Sequence, residues 1–226
     1  EEFWLEINGL IPEQEYIFQY FVDGEIKIAD PYTNQISDPW NDRYISEDTY
    51  PGLIEYPDNK TTGIASVLQT AQEEFEWTVE NFEPVGIQEL IIYEVLVRDF
   101  TEEHTYAAMI ERLDYLEELG ITAVELMPVN EFEGNESWGY NTSFHMALDK
   151  FYGTPEKFKE LVDVCHQNGI AVILDIAFNH AFGRNPLVRM WMDDPDGDGW
   201  GGPSTENPYF NVFPQHSFNV GNDFDH

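Results

Sequence analysis

The chain has 226 residues, 42% hydrophobic and 15% aromatic, enough apolar material to pack one large domain or two smaller ones. Ten Lys and Arg stand against 44 Asp and Glu, a formal charge of −34. A field of that sign repels phosphate backbones and anionic lipid, which argues against nucleic acid and membrane surfaces as partners and leaves neutral ligands and metal cations.

No apolar run reaches the roughly 18 residues of a membrane span. The opening EEFWLEINGL lacks the basic start and long apolar stretch of a signal peptide. From Phe3 to about Ile45 the pattern is β. Asp23-Gly24 suits a two-residue type I′ turn and predicts a hairpin of Glu15–Val22 with Glu25–Ala29, beside a further strand at Trp4–Ile7. Three strands rarely make a sheet alone, so this reads as the end of a β-sandwich. The segment from Asp30 to about Gly86 is rich in Pro, Asn, Asp, Thr and Gly and reads as an ordered connector, with a short strand at Ile64–Leu68.

From Leu90 the pattern becomes α/β. LIIYEVLVRDF is a near-continuous apolar strand. YAAMIERLDYLEELG follows as a helix, with Met109, Ile110, Leu113, Leu116 and Leu119 at helical spacing and Gly120 as its stop. ITAVELMPV is a second strand, followed by a loop of unusual length. TPEKFKELVDVCHQNG is a helix with Thr154 as N-cap, Pro155 at its first position and Gly169 as its stop. Its apolar face is Phe158, Leu161, Val162 and Cys165, which makes the single cysteine a buried, inert thiol. IAVILDI is the third strand. Strands and helices alternating at this spacing predict a parallel sheet.

Ligands of parallel α/β folds bind at the C-terminal strand ends. Arg98 and Asp99 end the first strand. Met127, Pro128, Asn130 and Glu131 end the second, then ESWGYNTSFH; Asp175, Asn179 and His180 end the third. Topology alone brings these groups to one face. Each also has an ordinary reading: Asp175 as a loop cap, Asn179 as a turn residue, His180 as a structural histidine. Trp138 and Tyr140 are either core aromatics of the long loop or a stacking platform for pyranose rings.

DIAFNH, with the long segment LGITAVELMPVNEFEGNESWGYNTSFHMALDKFYGTPEKFKELVDVCHQNGIAVILDIAFNH and the strand LIIYEVLVRDFT, resembles the α-amylase superfamily, glycoside hydrolase family 13, over about Leu90 to His180. The resemblance implies the fold class α/β, a partial (β/α)8 TIM barrel of the first three strands preceded by the end of a β-sandwich. The expected division is 1–45 as the C-terminal part of an immunoglobulin-like sandwich, 46–88 as connector, and 89–226 as the start of the barrel. The resemblance implies that Tyr140 stacks on the sugar beside the scissile bond and that His180 hydrogen-bonds that sugar, with Trp138 read from the residues as a further part of the platform. Asp175 would organise the site through an arginine of strand four, and Asn179 would ligate a structural calcium found in many members. No other cofactor is implied.

Such enzymes retain configuration with two carboxylates, typically about 5–5.5 Å apart. The family pattern sets these carboxylates on strands four and five, so no catalytic residue is expected in this chain, and the chain alone is expected to be inactive. The expected partners are an α-glucan or maltooligosaccharide, and the remainder of the barrel or a second copy at the open sheet edge. DDPDGDG spaces Asp194, Asp196 and Asp198 like the first half of a calcium loop. Thr205 stands where an EF-hand counted from Asp194 needs Glu, which favours a solvated acidic turn. The leading reading is a fragment of an α-glucan-acting hydrolase or transglycosylase. The alternatives are a non-catalytic α-glucan-binding homologue of the same fold and an unrelated α/β sugar-binding module.

Overall fold

The computed structural model describes residues 4–217 and 220–225. Phe3, where the alternating pattern starts, lies outside them. β1 (Glu15–Phe18), β2 (Tyr20–Val22), β3 (Ile26–Ile28) and β4 (Ile36–Ser37) come first. β2 and β3 form the expected hairpin: Asp23 and Gly24 both have positive φ, 52° and 73°, and the Val22 carbonyl accepts from the Glu25 N–H at 3.0 Å. The strand predicted over Glu15–Val22 is divided at Gln19.

No strand forms at Trp4–Ile7, and Trp4, Leu5 and Ile7 are exposed. Alternating apolar residues make a strand only where a partner edge satisfies the backbone, and no described strand pairs with this segment. The short strand expected near Ile64–Leu68 is β5 (Ala65–Gln69). It is the middle of the sheet β1–β5–β4 and antiparallel to both neighbours. The N-terminal sheet therefore draws its central strand from the 46–88 segment.

Next come β6 (Ile92–Val95), β7 (Ala123–Leu126), the hairpin of β8 (Asn130–Phe132) with β9 (Thr142–Leu148), and β10 (Ala171–Leu174). β6, β7 and β10 make the predicted parallel sheet, ordered β10–β7–β6, with Ile92 and Ala171 both in register with Ala123. Side chains alternate along each strand. Val95, Val124 and Leu126 pack on the helices in one core with Met109, Leu113, Leu116, Leu161 and Cys165. Burial pushes the Cys165 thiol up to about 12, as an inert core cysteine requires.

The helices are α1 (Val97–Phe100), α2 (Tyr106–Glu111), α3 (Leu113–Glu118) and α4 (Pro155–Gln167). The single helix predicted after β6 is broken at Arg112, whose ψ of 9° ends α2 and starts α3. Leu119, expected on the apolar face, lies past the end of α3 and is exposed. α4 starts as predicted: Thr154 Oγ1 accepts from the Lys157 N–H at 3.2 Å, with Pro155 next. Its core face uses Val164 rather than Val162, because residues three and four beyond Leu161 share its side of the helix.

Asp163, on the other side of α4, accepts from the backbone N–H groups of Thr78 and Val79 at 2.9 and 3.2 Å and from Gln167 at 2.9 Å. Burial works to raise its ionisation, but these donors prevail and hold it below the usual carboxylate range. After β10 the chain is loop-rich, as expected, with β11 (His180–Ala181), α5 (Pro186–Met190), β12 (Met192–Asp193), β13 (Gly202–Pro203) and β14 (Asn222–Asp223). β14 pairs with β11, setting Asp223 opposite His180. No helix among the described residues is long and apolar enough to cross a membrane.

Asn130 and Glu131, expected on the open face, are instead buried in β8. Asn130 Nδ2 donates to the His145 carbonyl at 2.8 Å. Glu131 accepts from Lys150, which also lies 3.2 Å from Asp42 of the connector. Asp149 joins this sealed cluster and accepts from the Phe151 N–H at 2.9 Å. Burial holds the Glu131 carboxyl well above its usual value and pushes Asp149 up to about 7, with the Lys150 ammonium opposing both shifts.

Candidate functional site

The loop between β8 and β9 carries Trp138, Gly139 and Tyr140 to the C-terminal end of β7. Gly139 has φ +91°, and a Cβ there would lie 2.2 Å from the Pro128 carbonyl oxygen, so only glycine fits. Its N–H donates to Ser137 Oγ at 3.0 Å, and its carbonyl accepts from Thr142 Oγ1 at 3.1 Å. Arg98 Nη1 donates to the Ser137 carbonyl at 3.2 Å while Nε binds Asp99 at 2.7 Å. Two residues expected on the site face thus brace the loop in front of Trp138.

Tyr140 Oη donates to Asp175 Oδ2 at 2.5 Å. That bond, then burial, then the negative charges of Asp175, Glu94 and Glu125 push the phenol up to about 12. The phenol therefore stays protonated near neutrality, and its ring is tethered at the hydroxyl end. His180 is buried. Its Nε2 lies 2.6 Å from the Tyr140 carbonyl oxygen and its Nδ1 lies 2.9 Å from Asn179 Oδ1. Facing two oxygens, the ring is satisfied as an imidazolium, or as a neutral ring once the Asn179 amide turns over. Both nitrogens are engaged, so His180 positions Tyr140 from behind. Trp138 is 63% exposed, with most of its indole open to solvent.

Tyr140, Asp175, Asn179 and His180 form one connected group, and Trp138 stands beside it. No described arginine bonds Asp175. The acidic loop is separate: one carboxylate oxygen from each of Asp194, Asp196 and Asp198 lies within 4.8 Å of the other two. Asp194 accepts from the N–H groups of Gly197 and Gly199, and Asp198 from that of Trp200, each at 2.9 Å. Three of the six carboxylate oxygens of these residues already cap their own turn. The Asn179 oxygen faces the His180 ring at 2.9 Å, so a cation there would share that oxygen with the imidazole.

Sequence reading missed Glu94 and Glu125. They are paired in register on β6 and β7, on the face away from the helix core. The available signal was the lone acid inside each of two apolar strands. Reading alternate residues would have set both on the Asp175 side. His145 was also missed; its Nε2 lies 3.1 Å from the Ala177 carbonyl oxygen, and burial holds its ionisation below the usual histidine value. The arrangement can orient a neutral, hydroxyl-bearing ligand and stack on it. It presents no nucleophile paired with a general base.

Residues 99–200 match the family model of the alpha amylase catalytic domain. A malto-oligosyltrehalose trehalohydrolase from Saccharolobus solfataricus is 41% identical over 118 residues, 52% of this chain and 21% of the relative. Isoamylase 1 of Arabidopsis thaliana chloroplasts is 30% identical over 203 residues, 74% of this chain and 26% of the relative. A solved Salmonella typhimurium structure described as of alpha amylase type superposes with a TM-score of 0.64 at 26% identity, covering 88% of this chain and 30% of that one. The chain spans about a fifth of the length of the first of these relatives. The parallel sheet is part of the TIM barrel of these enzymes, and the chain belongs to the α-amylase superfamily, glycoside hydrolase family 13.

Proposed function

We propose that the protein acts on the α-glucosidic bonds of starch, glycogen or maltooligosaccharides, as a retaining hydrolase or transglycosylase. The observation that carries this reading is the Tyr140 ring, tethered to Asp175 by its hydroxyl and held from behind by His180, beside the open indole of Trp138. Relatives named as a trehalohydrolase and an isoamylase favour an enzyme over a non-catalytic homologue. In this reading Trp138 and Tyr140 stack on the sugar at the scissile bond, and Asp175 and His180 fix the ring's angle. His180 reaches a sugar hydroxyl only when one ring nitrogen leaves its present partner. The nucleophile and acid/base carboxylates come from strands other than the three in this sheet. The 226-residue chain alone therefore leaves soluble starch intact.

The test is Tyr140→Ala in the whole protein. Loss of a stacked aromatic contact costs about 0.5–1.5 kcal/mol beyond area burial, so kcat/KM for maltooligosaccharides falls by up to about tenfold. Unchanged kinetics in a folded variant return Tyr140 to the role of a core aromatic. A structural calcium belongs to the proposal only at the Asp194–Asp198 loop. Calcium then raises the melting temperature, and Asp196→Asn abolishes the rise; a melting temperature indifferent to both calcium and chelator removes the ion from the proposal.

A further inference from the structure

A cavity of about 660 Å3 lies between the β2–β3 hairpin and the segment that follows β11, and neither Tyr140 nor His180 lines it. Two tryptophans stand in its wall, Trp40 at 44% and Trp200 at 49% exposure. The guanidinium of Arg184 lies over both indoles, 4.2 Å from the centroid of Trp40 and 5.5 Å from that of Trp200. Arg184 is itself fixed: Nη1 is 3.5 Å from Asp38, and its backbone N–H donates to Glu133 at 3.1 Å. Gly183 backs Trp200 closely enough that a Cβ there would meet the indole at 3.6 Å. Two rigid aromatic surfaces, half bare, are thus held at fixed separation in a recess of ordinary ligand size.

The charges around this recess identify what fits. Lys27, Arg184 and Arg189 line it against Glu25, Asp194 and Asp198, so the ionised groups cancel in a chain whose formal charge is −34. An anion meets those three acids and the field of the whole chain. A hydrocarbon would strip water from six charged groups with nothing in return. A neutral chain of hydroxyls with apolar C–H faces uses both features: it stacks on the indoles and bonds to acids and bases at the rim. We infer that the recess lined by Trp40, Arg184 and Trp200 is a second, non-catalytic binding site for a maltooligosaccharide segment, joining the β2–β3 hairpin and the segment after β11 onto one glucan chain. This rests on the substrate class proposed above, but on none of the residues of the Tyr140 face.

The test measures maltoheptaose binding to the protein by calorimetry and by hydrogen exchange. The expected result is two classes of site, with slowed exchange both at residues 137–142 and at residues 26–29 and 199–201. Trp40→Ala with Trp200→Ala weakens one class by tenfold or more and leaves the other; Trp138→Ala with Tyr140→Ala does the reverse. Exchange in the unaltered protein needs no variant to fold. Unchanged exchange at residues 26–29 and 199–201 under saturating maltoheptaose overturns the inference, as does inorganic phosphate binding there in its place. In both cases protection at residues 137–142 still stands for the proposed function. Loss of protection at 137–142 alone overturns that function and leaves the second site intact.

Discussion

The two ends of the β8–β9 hairpin treat polar groups in opposite ways. At its base, Lys150, Glu131, Asp42 and Asp149 are sealed from water, and one ammonium serves three carboxylates. At its tip, Tyr140 and Asp175 share one short bond and remain half open. Desolvation dominates the base, so removing its one ammonium leaves buried carboxylates uncompensated. Hydrogen-bond geometry dominates the tip, where a group that loses its partner can turn to water or to a ligand. A polar cluster at a strand end is thus a fold lock or a binding surface according to what covers it, and residue type alone does not distinguish them.

The contrast breaks most easily at the base. Lys150→Met strands Glu131, Asp42 and Asp149 and is expected to cost about 3–5 kcal/mol of stability, read by urea unfolding. A loss below about 1 kcal/mol would mean that water already reaches the cluster. Gly139→Ala comes next. It combines a left-handed conformation with a Cβ driven onto the Pro128 carbonyl, so about 2–4 kcal/mol is expected from overpacking and backbone strain together. Its unfolding midpoint should fall together with maltooligosaccharide binding, since the same loop carries Trp138 and Tyr140.

A pH slope also belongs to the base. Asp149 titrates at about 7 in the folded chain, raised by burial, against about 3.9 when unfolded. Between those values the folded state holds the extra proton, so stability declines as pH rises from about 4 to 7. Asp149→Asn should flatten that slope in urea titrations at several pH values. A slope that persists unchanged assigns the titration to Glu131 instead.

Elements whose signals are local were legible in the sequence. Asp23-Gly24 requires left-handed backbone, Thr154-Pro155 starts a helix, and the apolar runs of β6, β7 and β10 mark strands of a parallel sheet. Strand polarity alone brought Asp175, Asn179 and His180 to the Tyr140 face. Elements that need a distant partner were not legible. Trp4–Ile7 alternates like a strand but meets no edge, while β5 was legible as a short strand and its place at the centre of a sheet was not. The Lys150 cluster joins residues 42, 131, 149 and 150, and nothing local in any of them announces the others. Glu131 therefore read as an open polar group at a strand end when it is among the most deeply buried acids of the chain.

The clamp on Asp163 determines how the chain can be divided. A truncation starting at Leu90, where the α/β pattern begins, would take the Thr78 and Val79 N–H groups from a carboxylate on α4. It would also take Asp42 from Lys150, and Asp38 and Trp40 from Arg184. Three buried or half-buried charges would lose partners at once, each in contact with a different part of the barrel segment. A cut at residue 45 would separate β5 from both strands it pairs with. The smallest piece that can be expressed as a folded body therefore includes the N-terminal sheet, and a linker inserted to separate the two halves would weaken both.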